Sequence, residues 1–184
     1  SADVEKPQGS ITASAKFNDL DWSPDNSILA GALDNGIVEF FSPKELKSVA
    51  KIGKHTTPVN TLKFNAKQDN VLCSGDSRGE IFIWDINKIT SSGYAPFSPG
   101  VAMTPIDEVY SLAWNQSLAH VFASAGSSGY TSIWDLKAKK EVLHLSYTSP
   151  STGAKNHLSV VEWHPSNSTK IATATGNDND PVIL

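Results

Sequence analysis

Residues 79–86 read GEIFIWDI and residues 129–136 read GYTSIWDL. In both, a glycine stands five residues before a tryptophan, and the tryptophan is followed by aspartate and an aliphatic residue. A third, decayed copy is GIVEFFS, with Gly36 five residues before Phe41. The anchors Phe41, Trp84 and Trp134 are spaced by 43 and 50 residues. A period of this size is the mark of a repeat architecture and has to be read before anything else.

A second series of landmarks keeps the same step. LDWSP (Trp22), LKFNA (Phe64), LAWNQ (Trp114) and VEWHP (Trp163) follow one another at 42, 50 and 49 residues. Between landmarks the texture is that of short strands. VNTLKF (59–64) alternates, VLCSG (71–75) is a brief apolar run ending in a turn, and EIFIWDI (80–86) is rich in β-branched and aromatic residues. SVAKI (48–52) and EVLHLSY (141–147) offer a fourth strand, and no window carries a sustained helical period. Four strands per unit of ~40–45 residues closing on Trp-Asp predict an all-β WD-repeat β-propeller. The expected units are 17–52, 59–105, 109–147 and 158–184, that is, three complete blades and part of a fourth. Seven such blades need about 300 residues, so the 184 residues are expected to be part of a seven-bladed ring. SITASAKF (10–17) reads as the outer strand of an earlier blade, and IATAT (171–175) as a strand left unpaired, with VIL (182–184) uncovered.

Composition narrows the function classes. Hydrophobic residues make up 39% of the chain, enough for a core, and charged residues 18%, too few for a disordered acidic chain. The net charge of −4 lacks the basic footprint of a nucleic-acid reader. Cys73 is the only cysteine, so no disulfide forms within the chain and a reducing compartment fits best. The N-terminal SADVEKPQGS has no apolar segment of a signal peptide, and no apolar run is long enough to span a bilayer. The sequons at Asn115 and Asn167 are therefore expected to be unused.

Propeller blades of this kind often hold a buried set of His, Ser/Thr, Asp and Trp. His55, Ser74 and Trp84 fit three of its places in the second unit, with Arg78 standing where the Asp is expected. The third unit offers Ser124 and Trp134, with Ser128 in the acidic place and no His; the first offers Asn35, Gly31 and Phe41. The set thus reads as incomplete throughout. Asp85 and Asp135 complete the Trp-Asp pairs as repeat anchors. His55 and Ser74 with a nearby Asp also raise a catalytic triad, but nothing resembles a nucleophile elbow, and propellers use such groups to tie strands together. GNDNDP (176–181) has a D-x-D pair but no central Gly or terminal Glu for calcium, and reads as a hairpin tip. Lys137, Lys139 and Lys140 read as a solvated turn, with contact to an acidic partner as the alternative. The insertion 87–105 carries Tyr94 and Phe97, candidates for partner contact. Neither cofactor nor metal is expected.

Beyond the repeat, KFNAKQDNVL (63–72), DEVYSLAWNQSLAHVFASAG (107–126), SIWDLKAKKEV (132–142) and LSVVEWHP (158–165) resemble one family, the large WD-repeat subunit of the COPII outer coat in its fungal form. The likeness runs from FNDLDWSPDNSILAGALDNG (17–36) to TATGNDNDP (173–181). The resemblance implies a non-enzymatic scaffold whose N-terminal propeller meets other copies at cage vertices during ER-to-Golgi budding. It implies the small propeller subunit of the coat as a partner, through regions outside this chain, and the inner-coat proteins. It places the protein on the cytosolic face of the vesicle and the endoplasmic reticulum, peripheral to the membrane, with no nucleic acid. A WD-repeat substrate receptor of a ubiquitin ligase is the alternative, and an enzyme using an axial Asp cluster with a metal is a third reading.

Overall fold

A computed structural model describes residues 9–184; the first eight residues of the N-terminal stretch read above lie outside the described residues. Among the described residues thirteen strands fall into four antiparallel sheets, and the sole helical element is a 3-10 turn at Ile86–Lys88. The first sheet runs β1 (Phe17–Trp22), β2 (Leu29–Leu33), β3 (Ile37–Ser42), β4 (Lys47–Gly53). The second holds β5 (Val59–Phe64), β6 (Val71–Asp76) and β7 (Ile81–Asp85). The third orders β8 (Val109–Trp114), β9 (Val121–Gly126), β10 (Tyr130–Asp135) and β11 (Lys140–Ser146), and the fourth pairs β12 (Leu158–Trp163) with β13 (Ile171–Thr175). These are successive blades of a WD-repeat propeller, numbered one to four.

The hairpin glycines do what the repeat requires. Gly79 and Gly129 sit at φ 90° and 76°, in the left-handed region where a side chain would be strained. Each turn delivers a strand of strict alternation. Along β7, Trp84 points toward blade one and packs its edge on Phe40, with ring centroids 5.9 Å apart. Ile81 and Ile83 point the other way, into a cluster with Val109, Leu112, Trp114, Phe122 and Trp134. A third cluster joins Ala123, Ala125 and Ile133 to Leu158 and Val161. The core therefore lies between blades. A single twisted sheet cannot bury two apolar faces, and stacking neighbours does it instead.

Inner strands are also tied across the junctions. The Trp114 and Trp163 indoles donate to the carbonyls of Lys63 and Ala113 at 2.9 and 3.1 Å. At the first junction the landmark is Phe64, whose ring has no N–H to give. There Asp19 and Asp21 reach across instead and accept from the amides of Leu62 (3.0 Å) and Phe64 (2.7 Å).

Two expectations at the ends need correction. Residues 10–16 form no strand. They run along blade one itself, where Ser14 donates through its amide (3.0 Å) and hydroxyl (2.8 Å) to the buried Glu39. Residues 101–104 repeat this at blade three, where the amide of Thr104 donates to the buried Glu141 at 2.9 Å. Burial raises the pKa of each carboxyl, but the donated hydrogen bonds outweigh it and hold both below the usual range. The second correction is that IATAT is paired on both sides. GNDNDP folds the chain back, so that Leu184 and Thr173 exchange backbone bonds at 2.9 and 3.2 Å and Thr175 N–H donates to Val182 at 3.0 Å. Val182–Leu184 thus begin the third strand of blade four.

Candidate functional site

The most concentrated polar constellation is in blade two. Trp84 Nε1 donates to Ser74 Oγ at 2.8 Å, Ser74 lies 2.6 Å from His55 Nε2, and His55 Nδ1 lies 3.0 Å from Asp76 Oδ2. One proton arrangement satisfies every group: indole N–H to serine, serine O–H to Nε2, Nδ1–H to the carboxylate. Asp76 also accepts from the amides of Arg78 and Glu80 through Oδ1, both at 2.9 Å, and so caps the hairpin. Burial raises the Asp76 pKa, but the bonds from His55, Arg78 and Glu80 prevail and hold it below the usual carboxylate range.

The acidic place is therefore Asp76, not Arg78, and in this blade the set is complete. The ladders fix the register. Asp76 lies opposite Val59, the first residue of its inner strand, and the equivalent partners are Gly126 opposite Val109 and Leu33 opposite Phe17. Ser128 and Asn35 are thus displaced from the acidic place in the same way. The signal was present in the sequence: Asp76 stands three residues before the turn glycine, in the position of an aspartate that caps its own turn.

Asp76, His55 and Ser74 have the contacts of a nucleophilic triad, yet they lack access. Ser74 and Asp76 are wholly buried and His55 is 6% exposed, with the Phe82 ring packed against it in a T-shaped contact at 4.8 Å between centroids. The serine oxygen is engaged by both ring systems, so no face is left for a substrate. Glu80 brings a third ligand-type atom within 4.8 Å of those of His55 and Asp76. Both His55 nitrogens are already engaged, so a metal would first have to displace Ser74 or Asp76. Cys73 is buried, and desolvation pushes its thiol well above the ordinary value, away from nucleophilic character.

Blade three keeps half of this set. Trp134 donates to Ser124 at 2.9 Å. Pro105, four residues before β8 as His55 is before β5, and Gly126 occupy the other two places. Blade one has none, with Gly31, Leu33 and the buried Phe41. Asp85 and Asp135 lie at strand ends and cap the following turns, accepting from Asn87 and Lys137 amides at 3.2 and 2.8 Å. For both, burial opposes and hydrogen bonds prevail, so their carboxyls titrate low.

The remaining candidates are scattered over the surface. Lys137 and Lys139 lie in the turn leading into β11 and Lys140 is the first residue of that strand; all three are exposed, with Lys139 at φ 52°. Tyr94 is half-buried and uses its hydroxyl to accept the Asp85 amide at 2.7 Å, so it braces β7. Phe97 is exposed and pairs its backbone with Ile83. Asn115 is buried and bonded to Ser117, Leu118 and Ser168, which closes that sequon in the folded chain.

Comparison with known proteins follows the same lines. The model of the WD domain, G-beta repeat, matches residues 46–85, which contain His55, Ser74, Asp76 and Trp84. "Protein transport protein SEC31" of Eremothecium gossypii is 74% identical over 97% of this chain, and that of Saccharomyces cerevisiae 65% identical over all of it. The chain spans only 14% and 15% of those relatives. A chain of the structure "COPII on membranes, outer coat vertex" superposes on the whole chain with a TM-score of 0.91 at 64% identity, and 49% of that chain is covered. The RRP9 WD40 repeats superpose with a TM-score of 0.74 at 17% identity, a likeness of fold alone. The chain belongs to the SEC31 family of protein transport proteins, of which it carries a run of WD-repeat propeller blades.

Proposed function

We propose that this chain contributes to the structural scaffold of a COPII vesicle coat, as part of the propeller standing at the vertices of the outer cage. The observation that carries the reading is the full-length superposition, at 64% identity, on a chain of an outer-coat vertex assembled on membranes. The blades act through protein–protein contacts and perform no chemistry, which agrees with a triad-like set closed to substrate. The partners are other copies of the same propeller at the vertex and, through regions outside this chain, the small propeller subunit and the inner coat. The site of action is the cytosolic face of the endoplasmic reticulum and of the vesicles leaving it. Among the described residues no helix is long and apolar enough to cross a membrane.

Coat assembly on liposomes with the full protein and with a form lacking residues 9–184 tests this. Cryo-electron tomography is expected to show, for the shortened form, inner coat and cage edges but few closed vertices. Vertices at the frequency of the intact protein would overturn the reading.

A further inference from the structure

The turn that follows each inner strand is built to one pattern, and blade four departs from it by a change of residue. After the landmarks Phe64, Trp114 and Trp163 stand Asn65, Asn115 and His164. The backbone closes all three turns alike. Asn65 N–H donates to the Val71 carbonyl at 2.8 Å, Asn115 N–H to Val121 and His164 N–H to Lys170, both at 3.0 Å. Each bond spans six residues, so the three positions are equivalent.

The asparagines do two jobs at once. The side-chain oxygen caps its own turn. Asn65 Oδ1 accepts from the Lys67 amide at 2.9 Å, and Asn115 Oδ1 from Ser117 and Leu118 at 3.0 and 2.9 Å. The side-chain nitrogen reaches over to the same turn of the following blade. Asn65 Nδ2 donates to the Ala119 carbonyl at 2.7 Å and Asn115 Nδ2 to the Ser168 carbonyl at 2.9 Å. Ala119 stands four residues after Asn115 and Ser168 four after His164, so the tie repeats in register. Both asparagines are buried, at 0% and 1% exposure, under the blade they reach. Ser23 holds this place in blade one. It is buried too, and it spends its hydroxyl within its own turn, on Asp25 at 2.6 Å.

His164 keeps the first job. Its Nδ1 accepts from the Ser166 and Asn167 amides at 3.2 and 3.1 Å, as Asn115 Oδ1 does from Ser117 and Leu118. Two donated N–H groups fix the tautomer: Nδ1 carries the lone pair and Nε2 the proton. Nε2 is thus an N–H donor, as Nδ2 is in the asparagines. The imidazole is exposed on the face that blade two turns to blade three, and blade three to blade four.

We propose that His164 is the joint between blade four and the blade that follows it in the propeller, and that acid opens this joint. Its Nε2–H donates to the carbonyl four residues past the equivalent position in the first turn of that blade, which buries the imidazole as Asn65 and Asn115 are buried. The occupant follows from continuity with the junctions of this chain, where the same turn of the next blade covers this place each time. The relatives matched above run well beyond the stretch this chain spans. An amide keeps its acceptor at any pH. An imidazole loses Nδ1 as an acceptor once protonated, and the new N–H then faces two amide N–H groups. The turns on Asn65 and Asn115 stay closed under the same conditions. The charged or titratable side chains around the His164 turn are Glu162 and Lys170 on its own hairpin, and His120, with Asp135 beside it, on the turn of blade three packed against it. Among the described residues none of them bonds to the imidazole. The joint follows from the propeller alone and holds whether or not the coat reading does.

Hydrogen exchange on the full-length protein at about pH 7.5 and about pH 5.5 brackets the range in which an imidazole ordinarily takes its proton. Each rate is taken relative to that of an unstructured amide at the same pH, so that protection is compared. From the higher to the lower pH, Ser166 and Asn167 are expected to lose protection about tenfold or more, while Ser117 and Leu118 keep theirs. His164→Asn supplies the oxygen and nitrogen that blades two and three use, and is expected to hold Ser166 and Asn167 protected at both pH values. Burial is read separately with diethyl pyrocarbonate, which carbethoxylates unprotonated imidazoles in reach of solvent. At the higher pH His164 is expected to react at least about tenfold more slowly than the exposed His144. Protection at Ser166 and Asn167 that does not change with pH, an equal loss in His164→Asn, or a His164 that reacts as fast as His144 would each overturn the proposal.

Discussion

Blades two and three solve one problem in two ways. Both must hold a tryptophan at the outer part of the blade with its indole N–H satisfied. Blade two continues the chain of hydrogen bonds from Trp84 through Ser74 and His55 to Asp76, and Asp76 in turn grips the hairpin. Blade three stops at Ser124, and Pro105 and Gly126 leave a cavity of about 250 Å³ beside Trp134. A buried polar network is strong only when every member is satisfied. Blade two is thus rigid but brittle, because loss of one member strands the others. Blade three has less to lose at the same positions.

The tryptophans give the largest expected effects. Trp84→Ala removes a wholly buried ring packed on Phe40 and leaves Ser74 short of a donor, and it should destabilise by ~4–5 kcal/mol. Trp134 is 7% exposed and borders empty space on one side, so it has fewer atoms to leave behind. Trp134→Ala should fall near ~3 kcal/mol. Denaturant unfolding followed by fluorescence checks both, and equal losses would erase the distinction between the blades.

Asp76→Asn comes next. An amide cannot accept from His55 and from two backbone amides as a carboxylate does, so the loss should be ~2–3 kcal/mol at neutral pH. The same carboxylate sets an acid dependence. Its pKa is lowered in the folded protein, so its contribution is fully present above the ordinary value of about 3.8 and fades as pH falls through the folded value. Asp76→Asn should therefore lose less stability on acidification than the parent does. Melting temperatures measured from pH 6 down to about pH 3 test the sign, bracketing the ordinary carboxylate range. An unchanged pH slope would show that Asp76 gains nothing from the network.

The sequence made the repeat legible because its signals are local. Gly79 and Gly129 mark the turns, and Trp84 and Trp134 mark the strands they open. The acidic partner was misplaced for a geometric reason. Arg78 is nearer the glycine in sequence, but Asp76 ends β6 directly opposite the first residue of β5, where the preceding loop brings His55. Cross-strand register decides that, and a single chain read residue by residue does not display it. The short outer edge of blade two was hidden for the same reason. The insertion 87–105 is legible as a long stretch rich in Ser, Pro and Gly, but that Phe97 meets Ile83 while Pro99 fails to meet Ile81 is a matter of pairing. At the C-terminal end, GNDNDP was read correctly as a hairpin tip, and the return of Val182–Leu184 onto IATAT follows from how tightly that tip closes.

The serines separate the two blades by a smaller margin. Ser74→Ala breaks the bond to His55 and strands the Trp84 indole, with an expected loss of ~2 kcal/mol; Ser124→Ala strands one indole beside a cavity, with ~1 kcal/mol. A double-mutant cycle sharpens this. Ser74 should couple to Asp76 by ~1 kcal/mol through His55, while Ser124 and Asp76, in different blades, should add independently.

The smallest effect is expected from an attempt to turn blade three into blade two. Pro105→His puts an imidazole where His55 would stand, next to a free cavity and within the blade that already holds Trp134 and Ser124. It should change stability by no more than ~0.5 kcal/mol, the range of a surface substitution. An imidazole is useful here only when both nitrogens are held, and the second holder is missing. Gly126 cannot supply it, because a Cβ at that position would overlap the Glu108 carbonyl, so Gly126→Asp would have to move the backbone that enters β8. A gain of 1 kcal/mol or more from Pro105→His alone, read from thermal unfolding, would show that the histidine–serine bond is stable without its carboxylate. The completeness of the set in blade two would then no longer account for the difference between the blades.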